Sequence, residues 1–241
     1  MEKHALITGA AKRVGKAITN HLAKSGWSVA IHYNRSSKEA ETLKKELSKK
    51  YPKQNFYTVK ANLSEMKEVQ NLISDVKKLM GNISLLVNNA SIFEAAEIKE
   101  TTPELFTRNM QINFTAPFFL TRDFAQASNH GLIINFVDTR ITTNKNSHAA
   151  YTLAKKSLWE LTKMTAYEYG PLIRANAIAP GVTLPPPGGN DSDLLQMAKH
   201  IPMQKPGGIE PILKSIDYII ENNHLTGQLL FCDGGENIGK L

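Results

Sequence analysis

The sequence predicts an α/β domain: a doubly wound parallel sheet of about seven strands with helices on both faces. Three observations carry this. Short apolar runs alternate with helical patterns along nearly all 241 residues. The runs are mostly continuous rather than alternating, as in strands covered on both faces. Repeated strand–helix–strand crossovers pack into such a sheet.

The elements follow in order. HALITG (4–9) is the first strand candidate and opens directly into a glycine turn. From Arg13 to Lys24, Val14, Ile18 and Leu22 fall on one helical stripe at i, i+4, i+8. SVAIHYN (28–34) is the second strand, and KEAETLKKELSKK (38–50) is a solvated helix face in which Glu39, Glu41 and Glu46 interleave with lysines. NFYTVKANL (55–63) and SLLVNNA (84–90) are the third and fourth strands. Thr102-Pro103-Glu104 then marks a helix start: an N-cap, a first-turn proline and an acid at the positive end. GLIINFVD (131–138), IRANAIAP (173–180) and GQLLFCDG (227–234) complete the strands. Residues 184–208 break the rhythm with five prolines and four glycines around a short helix-like centre. Placed after the sixth strand, this segment falls on the ligand side of the sheet and is expected to be a substrate lid. Without a linker, low-complexity tract or internal repeat, residues 1–241 are expected to form one domain.

Composition excludes several classes. A 41% hydrophobic content fills a core of this size. No apolar stretch approaches the ~18 residues of a membrane span. The start, MEKHALITGA, passes quickly into a strand-like run without the regions of a signal peptide. Cys232 is the only cysteine, which suits a reducing compartment, so a cytoplasmic location is expected. The seven histidines show no metal-binding spacing, and no metal is expected. The net charge of +7 is not clustered with aromatics, so nucleic acid is not the expected partner.

The turn TGAAKRVGKAI (8–18) joins a strand to a helix start, where backbone N–H groups and the helix dipole face a pyrophosphate. Gly9 permits the tight turn and Gly15 the close packing of helix on sheet. This makes the expected fold Rossmann-type and the expected ligand a dinucleotide. After the second strand the chain reads His32-Tyr33-Asn34-Arg35-Ser36, with no acid before Glu39 to hold a ribose 2′-hydroxyl. Arg35, Ser36 and Arg13 offer donors matched to a 2′-phosphate instead, which points to NADPH rather than NADH.

Tyr151 and Lys155 are four apart and share a helix face. A phenol ionises near pH ~10, and a nearby ammonium would lower that value toward the working range. With TGAAKRVG, LVNNA (86–90), Asn113 in NMQINFTAP, IAPG (178–181) and LTGQLLFCDGG (225–235), this pair resembles the short-chain dehydrogenase/reductase family over essentially the full length. The resemblance implies that Tyr151 is the general acid, that Lys155 binds the nicotinamide ribose, and that Asn113 orders a water in the proton relay. It places Val14, Asn62, Leu63, Asn88, Asn89, Ala90, Ser91, Pro180 and Gly181 along the cofactor cleft, and it implies a homotetramer. Arg13, Ser91 and Asp138 replace the family's usual Gly, Gly and Ser. Together with HYNRS (32–36), they resemble the pteridine reductase branch, which includes bacterial dihydromonapterin and dihydrofolate reductases.

Asp138 narrows the chemistry. An ionised carboxylate would repel the oxyanion formed when a ketone is reduced, where a serine hydroxyl would donate to it. Beside a C=N bond it can stabilise positive charge or exchange a proton with Tyr151. The resemblance to the pteridine reductase branch implies that Phe93 stacks on the pterin and that Arg13, Ser91, Asp138 and Tyr151 contact it. The expected activity is NADPH-dependent reduction of dihydromonapterin, dihydrofolate or dihydrobiopterin. The alternatives are a carbonyl or 3-oxoacyl thioester reductase, a reductase of another imine, and a non-catalytic NADPH-binding regulator. Arg140 has no assigned role.

Overall fold

A computed structural model of the chain describes residues 2–186 and 188–239. Pro187, part of the expected lid, lies outside the described residues, as do Met1, Lys240 and Leu241. Seven strands form one sheet: β1 (His4–Ile7), β2 (Ser28–Tyr33), β3 (Phe56–Lys60), β4 (Leu85–Asn88), β5 (Gly131–Phe136), β6 (Ile173–Pro180) and β7 (Leu229–Cys232). Their order is β3-β2-β1-β4-β5-β6-β7, and every pairing is parallel. The winding reverses between β1 and β4, where Ala5, Leu6 and Ile7 pair with Leu85, Leu86 and Val87. A crevice for ligand opens beyond the carboxyl ends of those strands.

Helices α1 (Arg13–Lys24), α2 (Ser37–Lys50), α3 (Met66–Met80), α4 (Pro103–Met110), α5 (Ala116–Ala127), α6 (Ala149–Tyr169), α7 (Asp191–Ala198) and α8 (Glu210–Glu221) surround the sheet. Successive strand residues point to opposite faces and are buried on both. Ala5, Ile7, Val29, Ile31 and Ile134 pack with Ile18 and Leu22 of α1, Leu43 and Leu47 of α2, and Ile212 and Ile216 of α8. On the other face, Leu6, Ala30, Leu86 and Ile133 pack with Val69 and Leu72 of α3 and Leu120 and Phe124 of α5. Leu158 and Leu161 of α6 cover Val137, Ala177 and Ala179. The doubly wound sheet predicted from the apolar runs is the one observed.

Local sequence sets the ends. Thr102 caps α4 by accepting from the Leu105 N–H at 3.2 Å, with Pro103 in the first turn, as the sequence predicts. Within 184–208, Asn190 and Asp193 form a reciprocal capping box that starts α7. Ala198 and Ile201 anchor this segment to Val182. Among the described residues no helix is long and apolar enough to cross a membrane.

Candidate active site

The glycine turn leaves β1 with Gly9 at φ +64°, in the left-handed region that favours glycine. Gly15 sits so close beneath it that a Cβ would strike the Gly9 carbonyl oxygen, with Asn89 Nδ2 2.8 Å away. Arg13 also has positive φ, +50°, and takes this strained backbone without being glycine. The first turn of α1 contains no acidic residue and Lys12 makes no side-chain cap, so its N–H groups are left to an anion.

His32 fixes the turn from below. It accepts from the Gly9 N–H at Nδ1, 3.0 Å, and its Nε2 lies 3.0 Å from the Ala61 carbonyl oxygen. Only a neutral ring with its proton on Nε2 satisfies both. Burial lowers its pKa to about 4, which keeps the ring neutral. His32 is therefore a support for the cofactor turn, with both ring nitrogens already committed to backbone.

Beyond the turn lies a cleft of about 600 Å³ lined by Gly9, Lys12, His32, Tyr33, Asn34, Arg35, Ser36, Asn62 and Ser64 on one side. Ile92, Glu94, Arg108 and Ile112 line it on the other. Lys12 pairs with Glu39 at 2.6 Å. Asn62 Oδ1 accepts from Asn34 Nδ2 at 3.1 Å and from the Ser64 hydroxyl at 2.8 Å, so it organises the loop. Leu63 does not line the cleft: its side chain belongs to the core. Asn88 does not either; it is buried and donates to Asn135 at 2.8 Å, joining β4 to β5. Asn89 occupies the wall instead, bonded to the Thr8 carbonyl at 2.8 Å, and the Ala90 N–H donates to the Thr8 hydroxyl at 3.0 Å.

A second cavity, about 330 Å³, gathers Arg13, Val14, Asn89, Ser91, Asp138, Tyr151, Lys155, Pro180 and Gly181 with Leu184 and Met197 of the expected lid. Gly181 is required where the chain leaves β6, because a Cβ would lie 2.6 Å from the Asp233 backbone. A third cavity, about 230 Å³, shares Asp138, Tyr151, Pro180 and Gly181 and adds Phe93, Arg140, Val182 and Met197. Asp138 and Tyr151 stand on the boundary of the two, where a cofactor and a substrate would meet.

The Tyr151 hydroxyl donates to Asp138 Oδ2 at 2.8 Å, and Asp138 Oδ1 accepts from the Arg140 N–H at 2.8 Å. Burial and the Asp138 charge push the Tyr151 pKa well above its ordinary value, opposite to the depression expected from Lys155. The reason is position: Lys155 Nζ lies 5.7 Å from the tyrosine ring centre and donates to the Phe136 carbonyl at 2.7 Å. Tyr151 is held as a phenol, able to donate. Burial lowers the Lys155 pKa to about 8, with Asp138 opposing.

Asn113 is the residue expected to order a water in a relay. It lies fully buried in a wide π-type turn, Gln111–Thr115, between α4 and α5. Its amide accepts from the Ser91 hydroxyl at 2.8 Å and the Ile92 N–H at 3.1 Å, and donates to the Ile92 carbonyl at 3.0 Å. Its side chain fixes the loop after β4. Arg13 Nη2 donates to the Pro185 carbonyl at 2.6 Å, tying the glycine turn to the expected lid. Sequence reading missed Lys12, although two successive cations between the glycines signal it. It also missed Glu94, which receives Arg108 Nη2 at 2.6 Å and Asn109 at 3.0 Å, and His148, which stacks on Phe93. These join chain segments that no local pattern connects.

The family model for short chain dehydrogenase matches residues 3–192. Among solved structures, FolM alternative dihydrofolate reductase 1 from Brucella canis, complexed with NADP, superposes with a TM-score of 0.91 at 34% identity, covering 98% of this chain and 94% of that one. Pteridine reductase 1 of Leishmania tarentolae is 28% identical over 280 residues, covering 98% of this chain and 96% of the relative. A 3-oxoacyl-(acyl-carrier-protein) reductase of Staphylococcus epidermidis is 29% identical over 244 residues, covering 98% and 99%.

Proposed function

Because the chain belongs to the short chain dehydrogenase family, we propose that it is an NADPH-dependent pteridine reductase, acting on dihydromonapterin, dihydrofolate or dihydrobiopterin. The observation that carries this reading is the hydrogen bond from Tyr151 to Asp138 at the junction of two cavities. Similarity to the NADP-complexed dihydrofolate reductase of Brucella canis supports both the cofactor and the substrate class.

The residues present fit NADPH. Gly9 and Gly15 let the turn close tightly on itself and on Asn89 and Ala90, which leaves the first-turn N–H groups of α1 facing a phosphate. Lys12, Arg35 and Ser36 supply cations and a hydroxyl for a 2′-phosphate. The Lys155 ammonium has used one of its three donors on Phe136, so two remain for ribose hydroxyls. NADPH, when bound, supplies the hydride for a ring carbon of the substrate.

The chain's own residues handle the proton. Tyr151, kept as a phenol, donates toward the ring nitrogen adjacent to that carbon. As the N–H bond forms, the phenolate is poorly tolerated in its buried place beside Asp138, so reprotonation must follow from solvent through the third cavity. Asp138 orients the hydroxyl and offsets positive charge on the protonated ring nitrogen.

A second reading, reduction of a 3-oxoacyl thioester, draws on the Staphylococcus epidermidis relative. Its oxyanion would form beside Asp138, which opposes it. Purified protein mixed with NADPH and each of dihydrofolate, dihydromonapterin, dihydrobiopterin and an acetoacetyl thioester separates the two, read as loss of reduced nicotinamide. Pterin turnover is expected; thioester turnover without it sinks the pteridine reading, and NADPH binding with no turnover favours a regulator. A homotetramer and a cytoplasmic location belong to this proposal, the first on family resemblance and the second on the single cysteine.

A further inference from the structure

Phe93 is not an isolated ring. His148 stacks on one of its faces, with centroids 3.9 Å apart and planes 11° from parallel. Tyr151 meets it at 4.7 Å and 82°, and the Arg140 guanidinium carbon lies 5.4 Å from its centre. Arg140 Nη1 donates to the Ser147 hydroxyl at 3.3 Å, and that oxygen is 3.1 Å from His148 Nδ1. The two backbones are joined as well: the Ala96 N–H donates to the Ser147 carbonyl, and the Ala149 N–H to the Ala96 carbonyl, both at 3.0 Å. Phe93 is half-exposed on a loop, where an aromatic ring would ordinarily keep its rotamer freedom. His148 immediately precedes α6, the helix that carries Tyr151, so stacking fixes Phe93 relative to the reacting phenol.

We propose that His148 is a substrate-positioning residue: it backs Phe93, so the wall beside Tyr151 and Asp138 is a two-ring stack that selects a flat heterocycle. The proposal rests on the pteridine reading and deepens it. Phe93 lines the third cavity together with Asp138, Arg140 and Tyr151, so a planar ring entering there against Phe93, with the Arg140 guanidinium moved aside, extends the stack at offset-stacking distance, and a flexible acyl chain gains little from it. His148 then contributes to the choice of ring over chain without touching the substrate.

Steady-state kinetics with NADPH and dihydrobiopterin test this on the wild type, His148→Ala and His148→Phe. His148→Ala is expected to raise the pterin KM about 3- to 10-fold, the worth of one aromatic pair, and to raise it more than it lowers kcat. The NADPH Kd is expected to stay within about twofold, since neither the aromatic pair nor the Ser147–His148 hydrogen bond borders the cofactor cleft. His148→Phe restores the KM because it keeps the stack. An unchanged KM in His148→Ala, or a His148→Phe enzyme no better than it, overturns the proposal. Proton NMR gives a readout independent of substrate: the His148 ring resonances carry a ring-current shift that disappears in Phe93→Leu. Absence of that shift removes the stack itself. A wild type that turns over no pterin defeats the functional reading, and the NMR comparison then decides the stack alone.

Discussion

Burial and Asp138 raise the Tyr151 pKa against the opposing Arg140 charge and Ser91 hydroxyl. Asp138 bonds the phenol directly at 2.8 Å, whereas Lys155 is turned toward Phe136. Asp138→Ser removes the carboxylate and is expected to lower pterin kcat/KM about 100-fold or more, the scale of one lost acid–base group. NADPH affinity should stay nearly unchanged; full pterin activity in that variant refutes the assigned role. The same substitution lets the Tyr151 pKa fall, because two of the causes that raise it disappear. Lys155 carries its own pH dependence. Its pKa of about 8 in the folded protein lies below the ordinary 10.5, so burial of the ammonium costs stability below pH 8. That cost is relieved as pH rises from 8 toward 10.5, where the unfolded chain holds more protons than the folded one. Ribose binding needs the charged form, so NADPH affinity is expected to weaken above about pH 8 in fluorescence titrations. Lys155→Met should bind more weakly and lack this limb; an unchanged limb assigns it to another group.

At the scale of elements, β2 supports the glycine turn through a histidine that must remain neutral. His32 titrates near 4 when folded and 6.5 when unfolded, so between those values the unfolded chain takes up the proton first. Stability is fully present above pH 6.5 and falls as pH drops toward 4, by about 3 kcal/mol at most from this one group. Urea unfolding between pH 7 and 4 should show this slope, and His32→Gln should flatten it; an equal slope in both proteins disproves the assignment. The strands themselves were legible from apolar runs, and β6 matches its expected span, Ile173–Pro180. Most other strands stop sooner than the runs imply, and the residues shed at their carboxyl ends include Gly9, Asn34, Asn62, Asn89 and Asp138. These glycine, amide and acid residues close each apolar run and leave the ladder to line the clefts. Motif position does not reveal which way a side chain turns: Leu63 packs into the core and the Asn113 amide is held by Ser91 and Ile92. Contacts such as Arg13 with Pro185 and His148 with Phe93 bring together segments far apart in the chain, and neither partner's neighbours encode the other.

The whole molecule exposes apolar side chains that its own core does not explain. On α6, Leu153, Met164 and Tyr167 follow helical spacing on one face and are 51%, 63% and 92% exposed. Phe118 on α5 and Leu172 just beyond α6 are exposed as well. Single exposed apolar residues are ordinary, but Met164 and Tyr167 stand together near the end of the longest helix, separated from Leu153 by Lys156, Ser157 and Glu160, and this mixed face suits contact with another copy, where two-fold symmetry sets like against like. This face lies on the helix that carries Tyr151 and Lys155, so assembly would stiffen the element on which the proton chemistry depends. Light scattering after size exclusion is expected to give about four times the 26.7 kDa chain mass. Introducing like charge with Met164→Glu and Tyr167→Glu together should lower that mass by half or more, because a two-fold contact sets the buried carboxylates of one copy against those of the other. Far-UV circular dichroism should stay unchanged, since neither side chain belongs to the core. A full tetramer mass in the double variant would place the contact on another face, and a monomeric wild type would remove the tetramer from the proposal.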